Sequence, residues 1–80
     1  MNVSAIKKLV EGVSVAELKQ AEADLINERA IQIEVEGADD GEKLTHIFAA
    51  IWILDKMNTE GLEFTTACAQ YTKKLRESIK

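Results

Sequence analysis

Residues 47–54 read IFAAIWIL, eight apolar side chains in succession in a chain of 80 residues. A surface helix carries an apolar stripe over little more than a third of its circumference, so a run that is apolar on every side demands cover from several directions. A chain of this length supplies little cover, because it buries only roughly 60% of the surface its unfolded form exposes. The run is flanked by Thr45 and His46 before it and Asp55 and Lys56 after it, and falls far short of the ~20 residues of a membrane span. It reads as the core helix of a single helical domain, residues 1–80, with no membrane contact.

Small domains that fold alone often lean on disulfides or a structural metal, but one cysteine, Cys68, and one histidine, His46, are too few for either. Oligomerisation is the remaining support. A lone thiol fits a reducing compartment, and the opening MNVSAIKKLVEGV lacks the apolar centre of a secretory signal, so a cytoplasmic location is expected. The net charge of −4 is unevenly spread. Glu34, Glu36, Asp39, Asp40 and Glu42 lie in a stretch with no base, and the rest of the chain holds nine acids against ten bases. An acidic total argues against general nucleic-acid binding.

No proline and no internal repeat interrupts the chain, and glycines punctuate it instead. Val3, Ile6, Val10 and Val13 fall at helical spacing and predict a short first helix stopping near Gly12. Ser14-x-x-Glu17 has the spacing of a capping box, with Val13 placed to close on Leu18, and predicts a second helix to about Glu28 that buries Leu18, Ala21, Leu25 and Ile26. Ile31, Ile33 and Val35 alternate with Gln32 and Glu34, the period of a strand. No second alternating segment offers a partner, so this stretch is either an extended connector laid over the helices or a strand paired with its own copy in a second subunit. Asp39-x-x-Glu42 again has cap spacing and predicts a third helix from about Gly41 to Asn58, closed near Gly61. A last helix begins between Glu63 and Thr66 and buries Phe64, Ala67, Cys68, Tyr71, Leu75 and Ile79, with Lys73, Arg76 and Lys80 outside.

The third helix has two apolar seams rather than one broad face. Leu44, Ile47, Ile51 and Leu54, flanked by Phe48, form the first, and His46, Ala50, Ile53 and Met57 form the second, with centres about 110° apart on the helical wheel. Trp52 lies on a third side, and Thr45, Ala49 and Lys56 mark the wettest strip. The first seam is expected to pack on the second and fourth helices. The second, with Trp52, is either wrapped by the remaining elements or meets its own copy across a two-fold axis, where Ala50 permits close approach. The small surface of the chain favours the dimer, with His46, Ala50, Trp52, Ile53 and Met57 as its candidate interface.

Few residues offer chemistry. Cys68 sits in an apolar helix face and reads as a small buried hydrophobe, although its place near a helix start keeps a redox-responsive role open. His46 could be a pH-sensitive contact, or a residue simply satisfied at a helix start. One histidine and one cysteine make a transition-metal site unexpected, and the acidic stretch lacks the alternating ligands of a calcium loop. Its acids suit a helix N-terminus, and the candidate role left to Glu34, Glu36, Asp39, Asp40 and Glu42 is docking a protein partner with a basic surface. Two helices joined through a glycine have the outline of a helix-turn-helix, but the second would begin Phe64, Thr65, Thr66, Ala67, with its bases at the far end. Phosphate loops, nucleophile elbows and HExxH are absent, so neither catalysis nor a cofactor is expected.

GEKLTHIFAAIWIL, followed by Gly61 and FTTACAQYTKKLRESI, resembles a family of small bacterial proteins known only as a domain of unknown function, over about Ile33 to Ile79. The resemblance implies a bacterial, soluble, short helical protein with no assigned activity. The resulting expectation is an all-α bundle of three main helices plus a short N-terminal one, with an extended acidic connector at about 31–40. Its expected function is that of a non-enzymatic, homodimeric adaptor or regulator. A redox accessory protein using Cys68 is the alternative, which a thiol reactive only after unfolding would remove, and a helix-turn-helix DNA binder is a third. Ile53→Asp separates the packing schemes: a soluble monomer marks an interface, and loss of folding marks a central helix or an obligate dimer.

Overall fold

The computed structural model describes residues 2–78, and within them the chain forms four helices and no strand. They are α1 (Val3–Gly12), α2 (Val15–Ile26), α3 (Asp40–Glu60) and α4 (Phe64–Ser78). The all-α bundle expected from the sequence is the observed fold, and α1, α2 and α4 each pack on α3. At 1.5 Å per residue α3 is roughly 30 Å long, which matches the longest extent of the molecule, 32 Å. The shortest extent is 19 Å, about two helix diameters. A slab two helices thick cannot enclose its central rod.

Local chemistry sets the boundaries. The Asn2 side chain accepts from the Ser4 and Ala5 amides and opens α1, satisfying donors that a helix start leaves unpaired. Ser14 and Glu17 form the expected reciprocal box at α2, with the Glu17 amide donating to Ser14 Oγ at 3.2 Å and the Ser14 amide to Glu17 Oε1 at 3.2 Å. Asp39 accepts from the Glu42 amide at 2.8 Å, and Gly61 closes α3 in the left-handed region at φ 67°, where a residue without Cβ is unstrained.

The end of α2 is less conventional. Glu28 adopts φ 58°, its amide donates to the Leu25 carbonyl at 3.1 Å, and the Arg29 amide donates to the Asp24 carbonyl at 2.7 Å. This is the paired-bond helix terminator that glycine usually serves, here built on a residue with a side chain. An ion pair between Arg29 and Asp24 at 3.3 Å joins the two positions that an apolar contact usually links.

The core contains Ile6, Leu9, Val10, Leu18, Ala21, Val35, Ile47, Ala49, Ala50, Ile53 and Ala67. Several expectations are corrected here. Val3 and Ile26 are 50% and 58% exposed; Ile26 lies on the opposite side of α2 from Ala21, so its apolar character places it on no packed face. Ala49, expected on the wettest strip, is fully buried. The segment after α2 is a connector and not a strand, yet its alternation persists: Val35 is buried, Ile31 and Ile33 pack against the core, and Gln32 and Glu34 face out. Gly37 lets this strap pass close to α3, since a Cβ there would lie 2.8 Å from Lys43 Cγ and 2.9 Å from the Lys43 amide nitrogen. Ile79 and Lys80 lie outside the described residues.

Two substitutions test this packing. Glu28→Gly relieves the left-handed cost at the α2 terminus, partly offset by the added freedom of the unfolded chain, and should stabilise the fold by about 0.5–1 kcal/mol in a denaturant titration. Ile53 is wholly enclosed, so Ile53→Asp buries an unpaired carboxylate and should abolish the helical circular-dichroism signal at ambient temperature.

Candidate functional site

The seam expected at an interface lies in the core, together with Ile47 of the other seam. His46, Ala50 and Ile53 are 1%, 0% and 0% exposed, and Met57 packs half-buried against the same core. Neighbours from the same chain cover this seam, so those side chains are not available to a second copy. Of the five candidates only Trp52 reaches the open side of α3, where its ring lies 5.4 Å from that of Tyr71 and 5.4 Å from Lys56 Nζ. Burial pushes the Tyr71 phenol above its ordinary value of 10.0.

His46 is a structural pin. The Asn2 amide donates to His46 Nε2 at 3.1 Å, which leaves Nδ1 to carry the ring proton and donate to the Glu36 carbonyl at 2.8 Å. One neutral ring thereby ties the start of α1, the connector and α3 together. A second polar cluster, centred on buried Asp24, has the same character: Gln20 Nε2 donates to Asp24 Oδ1 at 3.0 Å and Arg29 lies 3.3 Å away. The sequence reading did not single out Asp24, although Gln20 one turn before it and Arg29 just past the helix were its visible signals.

The acidic candidates do not form one surface. Glu36 pairs with Lys8 at 3.1 Å, and Glu34 shares with them a cleft of about 310 Å³ between α1 and the connector. Asp39 is occupied as the α3 cap. Asp40 lines a separate cleft beside Arg29 and Lys43, and Glu42 is exposed in the first turn of α3. Their negative charge is divided and locally answered by bases.

Cys68 packs half-buried against the core. Thr65 and Thr66 at the α4 start are exposed and share an open outer face with Lys73. Among the described residues no three His, Cys, Asp or Glu side chains are placed to hold a metal ion, and no helix is long and apolar enough to cross a membrane.

The feature left without cover is the flank of α3 turned away from the seam of His46 and Ile53. Ile51, Leu44, Asp55, Phe48 and Trp52 occupy an arc of about 100° there. Phe48 is 44% exposed, and Leu44, Ile51 and Trp52 are half-buried. With Val15, Lys19 and Glu22 of α2, the flank from Phe48 to Asp55 lines a groove of about 350 Å³. The sequence reading assigned Phe48 to the margin of an inward face.

The geometry defines a small all-α domain hung on one central helix, whose prominent surface feature is an apolar groove. The chain belongs to a family of unknown function, DUF6952, which matches it over residues 1–80. The match covers the whole chain, beyond the span of the resemblance seen in the sequence. No curated protein and no solved structure matches it.

The pin can be tested directly. His46→Ala strands the Asn2 amide and the Glu36 carbonyl and opens a side-chain-sized void, and should destabilise the fold by about 2–4 kcal/mol in denaturant unfolding, with faster amide exchange in α1 than in α4.

Proposed function

We propose that the protein is a non-enzymatic interaction module, an adaptor or regulator, whose contact surface is the groove between α2 and α3. The observation that carries this reading is Phe48, 44% exposed beside half-buried Ile51 and Trp52. Elsewhere on α3 the large apolar side chains are buried or half-buried, whereas interaction sites couple exposed aromatic anchors with a polar rim. Lys19, Glu22 and Asp55 provide that rim. The buried polar groups support the same reading, because His46 and Asp24 spend their hydrogen bonds on neighbouring parts of the chain. A reducing compartment, where Cys68 stays a thiol, suits such a role.

A photo-crosslinking amino acid at position 48 tests the proposal in cells of the source organism. Crosslinked adducts at position 48, absent when the probe stands at exposed position 65 on α4, are the expected result. Equal labelling at both positions, or none at either, would remove the groove as a contact surface.

A further inference from the structure

We infer that the occupant of the α2–α3 groove is a second copy of this chain, docked through an isologous two-fold contact. The inference rests on the groove being a contact surface and adds the identity of its partner. Charge complementarity selects that partner. The groove has an apolar floor, built on Val15, Phe48, Ile51 and Trp52, and a rim carrying both signs, with Lys19 and Glu22 on α2 and Asp55 on α3. None of these three charges has an ion-pair partner among the described residues. A partner of uniform charge would meet both attraction and repulsion along this rim. In a two-fold arrangement each surface meets itself reversed, so Lys19 of one copy faces Asp55 of the other and the contact occurs twice.

The size of the molecule agrees. An ordinary interface takes about 800 Å² from each partner, less than a sixth of the 5179 Å² surface of the chain. The groove runs along α3 from Phe48 to Asp55, with α2 as its second wall. Pairing there places a second layer against the open side of α3 and gives its exposed aromatic residue the cover that three helices of one chain leave out.

The test is the mass of the purified protein by sedimentation from micromolar to millimolar concentration, on the wild type, Phe48→Asp, Lys19→Asp, Asp55→Lys and the double exchange. The wild type should pass from 8.9 kDa to twice that mass. Phe48→Asp should remain monomeric with an unchanged helical spectrum, as its exposed position allows. Each single charge reversal should weaken association about tenfold, and the double exchange should restore it. A wild type that stays monomeric throughout, a dimer indifferent to Phe48→Asp, or a double exchange no tighter than its single variants would overturn the inference. Should Phe48→Asp fail to fold, the charge exchange at exposed positions decides the matter alone. Adducts at position 48 to a different protein, with a monomeric wild type, would refute self-pairing and leave the interaction module standing.

Discussion

Enclosing α3 is the problem on which the rest of the structure depends. Its central two turns carry no polar side chain from Ile47 to Leu54, so desolvating them contributes favourably to folding. The chain has three further helices and one strap with which to do it, and all three helices pack on α3. In a body 19 Å thick they cover the arc from Ala49 through Ile53 and Ala50 to Ile47 and leave the opposite arc open. Half-burial of Leu44, Ile51 and Trp52 is the consequence of that geometry. Their apolar character reflects what the helix needs on both sides.

Because the apolar contacts are few and non-directional, polar contacts fix which elements lie where. The His46 ring reaches one backbone group before α1 and one in the connector, and a single neutral tautomer satisfies both. Asp24 does the equivalent work at the far end of α2, where its carboxylate and carbonyl hold Gln20 and Arg29. Buried polar groups stabilise only when fully bonded, and among the described residues no buried side-chain polar atom lacks a partner. The chemistry of the two residues is consumed in positioning helices.

How far the sequence disclosed this follows from the range of each interaction. The starts of α2 and α3 and the end of α3 were legible at Ser14, Glu17, Asp39 and Gly61, because capping is settled within a few residues of the chain. The inward alternation of Ile31, Ile33 and Val35 was legible, but its lack of a paired strand was decided by what lay beside it. The choice between the two seams of α3 was not legible at all. Both are apolar and regularly spaced, and how far each is covered depends on where the other helices land, α1 being tied to α3 by the Asn2 contact to His46 across 44 positions of sequence. Ile26 and Ala49 were misplaced for the same reason, since hydropathy reports preference for burial but not the presence of a neighbour.

The burial of Ala50 and Ile53 bears on function. A surface chosen from periodicity alone would centre on Ala50 and Ile53, which are structural, whereas the exposed flank carries an aromatic anchor and unpaired charges of both signs. Substitution of residues of the first kind costs packing in the core. Those of the second kind, Phe48, Lys19 and Asp55, can change at modest cost to stability, because they contribute little to the core. Under the proposed contact, substitutions on this flank would change the partner and leave the bundle intact, so recognition and folding would rest on different residues of one small helix pair.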